Sequence, residues 1–450
     1  METEQAYNLA LDYLYSFVDY SLKHASELAK ADFNLDRMFA LMEALGNPQN
    51  SYPIIHVAGT KGKGSTSALC ASALRAAGYK VGLYTSPHLE DYCERIQVDG
   101  TPIAHEELVA LVEAVKPAVE RIPKLTTFEI TTAIGFLAFQ RAGVNAAVIE
   151  VGLGGRLDAT NVVRPRVSVI TSLSMDHMAV LGDTLAKIAA EKAGIIKPGV
   201  PVVASPQKDE ALEVLGRVAS EKNAPLTLVG RDLTFEPQSF SLEGQTFLLL
   251  APFLSRPLSM TIPLLGAHQL VNAATAFAVL QLSGLNIPNE AIQKGFSQVK
   301  WPARFEVARR QPPVVFDSAH NDDSFAKLRE TLEMYFPGRP VYLIFGASED
   351  KNIPGMFREM KAKIRKLIIT RADHPRALGV DQIQGLADQA GIPYEAVTPV
   401  SAALARALDL SAIDGSVVLS AGSMFVTAEV MMAWRKLNRA DESNFQPITG

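Results

Sequence analysis

Gly59-Thr60-Lys61-Gly62-Lys63-Gly64-Ser65 lies between an apolar run, Ile54-Ile55-His56-Val57-Ala58, and a run of small residues from Ser65 to Ala77 that reads as a helix. A buried strand, a glycine loop and a helix in that order make an anion site. Backbone N–H groups converge at the helix start, where the dipole favours negative charge. Lys63 adds a point charge able to reach the outer phosphates, and the hydroxyl of Ser65 or Thr66 stands near a bound Mg²⁺. The usual pattern sets Ser or Thr directly after Gly-Lys, whereas here Gly64 intervenes. A glycine-rich turn with a solvated lysine is the bland alternative, and the strand and helix on either side speak against it. The loop predicts ATP binding on an α/β scaffold.

A chain of 450 residues predicts two or three domains rather than one core. The net charge of −5 gives no support for binding nucleic acid or an anionic membrane. No apolar run approaches the roughly 18–20 residues that span a bilayer. The acidic, then amphipathic start, Met-Glu-Thr-Glu-Gln, resembles neither a signal nor a transit peptide. Cys70 and Cys93 lack the spacing of a disulfide framework or a zinc site. A cytoplasmic enzyme is the expectation.

Apolar strand candidates alternate with helices at 54–58, 80–85, 146–151, 167–173 and 200–204, the pattern of a parallel sheet covered on both faces. A helix is expected over 34–45, with Asn34 as N-cap and Gly46 as stop. Residues 240–247 read as a hairpin around Glu243-Gly244, and helices follow over 268–284 and 289–299. A second α/β series begins near Pro312, with strands at 314–316, 341–345, 367–370 and 417–419. Trp301-Pro302 is the expected boundary. The organisation predicted is a P-loop ATPase domain over 1–299 with a mainly parallel sheet and N-terminal helices, plus a smaller α/β domain over 300–450. Ligand sites often form in clefts between domains, and the chemistry is expected there.

Four further constellations follow, the first three at strand ends, where open α/β sheets bind ligands. Ser86, in Thr85-Ser86-Pro87-His88, offers a metal ligand, although Ser-Pro after a strand is also a common turn. Glu150 ends an apolar strand before Gly152-Leu153-Gly154-Gly155-Arg156-Leu157-Asp158. A carboxylate there is costly unless paired or bound to metal, so Glu150 is a Mg²⁺ candidate with a salt bridge as the alternative. Arg156 and Asp158 fix the loop or touch substrate. His177, after Met175-Asp176, is a metal ligand or a structural histidine. In a helix expected over 183–197, Lys192 falls on the apolar stripe of Leu185, Ile188 and Ala189, while Lys187 and Glu191 can pair on the other side. A lysine so placed snorkels, pairs, loses its proton or is modified.

These segments, with Trp301-Pro302-Ala303-Arg304-Phe305-Glu306 and Asp317-Ser318-Ala319-His320-Asn321, resemble successive motifs of the folylpolyglutamate synthase/dihydrofolate synthase family of the Mur ligase superfamily, over nearly the whole chain. The resemblance implies Mg²⁺ at Ser86 and Glu150, a second Mg²⁺ at His177, and a carbamylated Lys192 serving that second site. It implies ATP contacts from the loop residues Gly59 to Ser65, from Asn272, and from Arg304 and Asp317. His320 and Ser423 would lie near the incoming L-glutamate. Thr126, Phe128, Leu157, Asp158 and Ala159 match the pterin side, although an aromatic in a helical stripe is more often core. Many relatives have Asn where this chain has Lys61.

The activity implied is ATP-dependent amide formation between L-glutamate and a reduced folate, or dihydropteroate. An acyl phosphate forms in a site whose Lys63, Lys192, Asp317 and His320 serve the chemistry, in a monomer that binds neither membrane nor nucleic acid. The rivals are a cell-wall peptide ligase on the same scaffold and a P-loop NTPase or kinase that forms no amide.

Overall fold

A computed structural model describes residues 2–19 and 34–443. The chain divides into two compact units, one of Met1–Pro263 with His268–Lys300, the other of Leu264–Ala267 with Trp301–Gly450.

The first unit opens with α1 (Glu2–Tyr15) and α2 (Asp36–Ala44). The first turn of α2 is served by Asn34, whose Oδ1 accepts the Asp36 N–H at 2.6 Å, although Leu35 rather than Asn34 holds the cap position. Then follow β1 (Ile54–Ala58), α3 (Lys63–Ala76), β2 (Val81–Tyr84), a short 3₁₀ turn (Tyr92–Arg95), β3 (Ile96–Val98), β4 (Thr101–Pro102), α4 (His105–Val119) and α5 (Thr127–Ala142). Next come β5 (Ala146–Glu150), β6 (Val167–Ile170), α6 (Met178–Leu181), α7 (Leu185–Ala193), β7 (Val202–Ala204), α8 (Asp209–Glu221) and β8 (Leu226–Leu228).

The eight strands form one sheet in the order β4-β3-β2-β5-β1-β6-β7-β8. β2, β5, β1, β6, β7 and β8 pair in parallel, and β3 and β4 add an antiparallel edge. Every residue of β1 and β5 is buried, because helices cover both faces. β1 carries the switch in topology: the chain leaves it to reach β2 on one side and later returns to β6 on the other. That crevice at the carboxyl ends is where such sheets bind ligands.

The predicted hairpin forms between β9 (Thr234–Ser241) and β10 (Gly244–Leu250), and β11 (Leu258–Ile262) completes a three-stranded antiparallel sheet. α9 (Ala267–Leu282) and α10 (Asn289–Ser297) follow.

The second unit holds β12 (Glu306–Arg310), β13 (Pro313–Phe316), α11 (Asp322–Tyr335), β14 (Val341–Phe345), α12 (Ile353–Met360), β15 (Ile364–Ile369), α13 (Val380–Ala390), β16 (Tyr394–Ala396), α14 (Val400–Asp414), β17 (Val417–Ala421) and α15 (Met424–Ser443). Its six strands run β12-β13-β17-β14-β15-β16, parallel except at β12. β14 and β17 are buried throughout.

Two helices differ from expectation at their ends. α3 starts at Lys63, because Gly62 with φ 88° turns the chain directly into the helix. α7 stops at Ala193, short of Lys197, where Gly194 lies against Arg156.

Candidate functional site

The loop after β1 has no room for side chains at two positions. A Cβ on Gly59, whose φ is 153°, would sit 1.8 Å from Thr171 Oγ1, and one on Gly62 would sit 2.2 Å from Asn272 Oδ1. Asn272, buried in α9 and bonded through Nδ2 to Gln269 Oε1 at 2.9 Å, thus abuts the loop from a distant part of the sequence. The N–H groups of Thr60 and Lys61 both donate to Ser172 O at 3.0 Å, and Thr60 Oγ1 donates to Ser174 O at 3.2 Å. These two residues hold the base of the loop. Lys63, Gly64 and Ser65 lie in the first turn of α3, whose leading N–H groups have no carbonyl partner within the helix.

Lys63 faces Glu150, Nζ to Oε1 4.0 Å, and Glu150 Oε2 accepts the Ser86 N–H at 3.4 Å. The ends of β1, β2 and β5 therefore bring the glycine loop, Ser86 and the Glu150 carboxylate together. Glu150 is only 5% exposed, and the nearby ammonium offsets much of the cost of burying it. Thr66 Oγ1 is buried without a hydrogen-bond partner. Carboxylate and hydroxyl oxygens are the donor set Mg²⁺ prefers, and an unserved buried hydroxyl fits a site that completes its bonding with a ligand.

Lys192 does not snorkel. It is 4% exposed, and Nζ donates to Gly59 O at 2.9 Å. Burial, reinforced by the charge of Lys63, pushes its pKa down to about 7, against the pull of Asp176 and Asp158. An amine largely neutral just above that pH is a nucleophile. The glycine loop after β5 closes over this helix: a Cβ on Gly155 would lie 2.8 Å from Glu191 O and 3.0 Å from Lys192 Cα.

The expected Lys187–Glu191 pair does not form. Lys187 pairs with Asp183 at 2.7 Å, and Glu191 with Arg156 at 2.8 Å, because the loop brings Arg156 alongside.

Asp158 is wholly committed to that loop. It accepts from Leu153 N at 2.9 Å and from both N and Oγ1 of Thr160. Burial pushes its pKa up, opposed by those same hydrogen bonds. Thr160 Oγ1, donating to Asp158, accepts from His56 Nε2 at 2.9 Å, which puts the ring proton of His56 on Nε2. Leu157 is half-buried and Ala159 buried in the same segment.

Thr126 serves as the N-cap of α5, accepting the Glu129 N–H at 3.2 Å while Glu129 accepts the Thr126 N–H. Phe128 is half-buried, its ring 6.3 Å from Tyr84 and against Gly152.

His177 stands exposed with φ 49°, its Nε2 3.9 Å from Asp176 Oδ1. Asp176 Oδ2 pairs with Lys61 at 3.1 Å, a contact that no local pattern signals, because the two residues meet only when β1 and β6 pair.

In the second unit, Asp317 caps a turn built on two non-glycine residues in the left-handed region, Ala303 with φ 55° and Phe305 with φ 48°. Its carboxylate accepts Phe305 N at 2.8 Å and Ala319 N at 2.7 Å. Burial raises its pKa, opposed by the Arg304 guanidinium. Arg304 donates to Ser318 Oγ and, at 3.0 Å, to Ala303 O. His320 Nδ1 is 2.8 Å from Ser318 O, so a neutral ring carries its proton there. Gly422 N donates to Ala319 O at 2.8 Å, which brings Ser423 beside the same segment, where Ser423 Oγ accepts from Phe425 N at 3.2 Å. Arg304, Asp317, His320 and Ser423 thus form one neighbourhood. A separate concavity of about 630 Å³ lined by Arg371, Asp373, His374, Thr398 and Glu429 includes none of the residues predicted from sequence.

Two family models match the chain, the Mur ligase middle domain over residues 57–280 and the Mur ligase glutamate ligase domain over residues 303–424. The dihydrofolate synthase/folylpolyglutamate synthase of Bacillus subtilis is 39% identical over 355 residues, 76% of this chain and 82% of that one. Among solved structures, the Mycobacterium tuberculosis folylpolyglutamate synthase complexed with ADP is similar at a TM-score of 0.88 and 31% identity, covering 96% of this chain and 98% of that one. Escherichia coli FolC in complex with DHPP and ADP is similar at 0.84 and 30%, with the same coverages.

Proposed function

The chain belongs to the folylpolyglutamate synthase/dihydrofolate synthase family of Mur ligases and is an ATP-dependent folate–glutamate ligase, from which premise we propose a mechanism and a substrate range. The carboxylate of a reduced folate takes the γ-phosphoryl group of ATP, and the amine of L-glutamate displaces phosphate from the acyl carbon. Dihydropteroate is a second acceptor, a reading favoured by the double name of the Bacillus subtilis relative. The observation that carries the proposal is the meeting of Lys63, Glu150 and Ser86 at the ends of three neighbouring strands, under a loop cradle with no space for side chains.

Phosphoryl transfer asks mainly for positioning and neutralised charge. Lys63 and the N–H groups of the first turn of α3 bind phosphate, and Asn272 lies against the loop for the nucleotide. We assign Arg304 and Asp317 to nucleotide binding, and His320 and Ser423 to the incoming glutamate. Ser86 and Glu150 would hold one Mg²⁺, and His177 with Lys192 a second; bound there, the ions neutralise charge on the transferring phosphoryl group. The Lys192 ammonium would lose one proton, and the neutral amine would add CO₂ and release a second, which leaves an anionic carbamate ligand in place of a buried cation. Thr126, Phe128, Leu157, Asp158 and Ala159 border the pterin; for Thr126 and Asp158 the support is for a positioning role, since both are engaged in holding backbone.

Residues 1–299 would supply the glycine loop for ATP, and 300–450 the glutamate side together with Arg304 and Asp317 for the nucleotide. No helix among the described residues is long and apolar enough to cross a membrane. We propose a cytoplasmic monomer, and the net charge of −5 offers nucleic acid no general attraction.

The test is amide formation from MgATP and L-glutamate, run in parallel with tetrahydrofolate monoglutamate and dihydropteroate. Product on both is expected, and product on folate alone would remove the second acceptor. No product on either, with ATP still bound, would contradict the proposal and favour a cell-wall peptide ligase. ATP turnover indifferent to glutamate would favour an NTPase.

A further inference from the structure

Asp91, Cys93 and His105 converge in the first unit and take no part in the chemistry above. One ligand atom from each lies within 4.8 Å of the other two. Asp91 caps the 3₁₀ turn, Cys93 lies inside it at 2% exposure, and His105 opens α4. In sequence the three look unrelated. The β3–β4 hairpin reverses the chain between them and returns His105 to the turn.

The surroundings orient each group. His105 Nε2 lies 2.7 Å from Asp91 Oδ2, and its Nδ1 lies 2.9 Å from Glu4 Oε1 on α1. The Tyr7 ring stacks flat on the imidazole, centroids 3.7 Å apart and planes within 5°. Asp91 Oδ1 accepts from Cys93 N at 2.8 Å and from the Tyr7 hydroxyl at 3.3 Å, which leaves Oδ2 as the oxygen aimed at the cluster.

We propose that Cys93 Sγ, His105 Nε2 and Asp91 Oδ2 bind a divalent cation of the zinc class. Thiolate, imidazole and carboxylate together select a borderline-soft ion, whereas Mg²⁺ and Ca²⁺ take all-oxygen sets. A ligating imidazole whose second nitrogen is held by a carboxylate is the usual arrangement around such ions, and Glu4 supplies it. On binding, the thiol proton and the proton shared between His105 Nε2 and Asp91 Oδ2 pass to solvent, and a water fills the fourth position. The ion ties the start of α4 to the turn that follows the Ser86–Leu89 loop, and through Glu4 ties α1 to both. Its role is structural.

The test uses the full chain treated with a chelator and titrated with Co²⁺, then Zn²⁺. One equivalent of Co²⁺ with a cobalt–thiolate charge-transfer band is expected, together with a Zn²⁺-dependent rise in Tm. Cys93→Ser should abolish the band while Cys70 remains in place, and His105→Gln should weaken Zn²⁺ binding at least about tenfold. Absence of both band and Tm shift in the wild-type chain would overturn the proposal without recourse to any variant. Zn²⁺ binding of equal affinity in Cys93→Ser would overturn it too, by assigning the ion to the oxygen ligands of the nucleotide site.

Discussion

Lys192 Nζ donates to the Gly59 carbonyl from a buried position, next to the loop that carries Lys63, the proposed phosphate ligand. The charges of Lys63 and Lys192 oppose each other, and the proposed carbamate on Lys192 would reverse the sign of one of them. Lys192→Ala should therefore lower kcat by about 10²–10³-fold, the scale of losing one electrostatic stabiliser, with acetate restoring part of the rate. A fully active variant would contradict the assignment. Glu150→Gln should raise the Mg²⁺ concentration for half-maximal activity at least about tenfold, measured at saturating ATP; an unchanged requirement would remove Glu150 from the metal. The apolar stripe of α7 identified Lys192 in the sequence as anomalous. Its fate was not readable there, because burial depends on Gly155 and Gly194 letting the β5 loop close over the helix. The Lys61–Asp176 pair was hidden for the same reason, as it exists only through pairing of strands far apart in the chain.

At the level of elements, the loop after β5 and α7 are held at backbone contact. Gly155→Ala places a methyl group 2.8 Å from a carbonyl that cannot move without α7. The expected cost is about 1–3 kcal/mol, read by urea unfolding, with activity falling further than stability as Lys192 shifts. Unchanged stability would show that the loop can yield.

His56, in the middle of β1, is fully buried, and burial with the charge of Lys197 holds its pKa down to about 3, against 6.5 when free. Between those values the unfolded chain binds a proton that the folded chain does not. Stability is thus complete above the unfolded value and declines as pH falls through that window, at up to about 1.4 kcal/mol per pH unit. Unfolding midpoints compared across the window should show a shallower decline for His56→Gln; equal slopes would assign the pH dependence elsewhere. The central strands were legible because residues buried on both faces leave a continuous apolar run. β3, β4, β12 and β16 were not, being short or partly exposed, and Glu306–Arg310 even reads as a charged segment.

For the whole molecule, the sequence carried the α/β class in its alternating apolar runs, and the strand–loop–helix turn at Gly59–Ser65 in its local glycine chemistry. It did not carry the assignment of Leu264–Ala267 to the second unit, which depends on packing rather than on any local signal. Nor did it bring together Asp91, Cys93 and His105, whose spacing matches no ligand pattern until the β3–β4 hairpin folds. The proposed mechanism for this folate–glutamate ligase places one chemical event at the centre: attack of a carboxylate oxygen on phosphorus before the amine attacks carbon. A folate substrate labelled with heavy oxygen in the reacting carboxylate reports on that event directly. Turnover with MgATP and L-glutamate should transfer one labelled oxygen per amide formed into inorganic phosphate, whereas unlabelled phosphate released alongside amide would contradict the acyl-phosphate route.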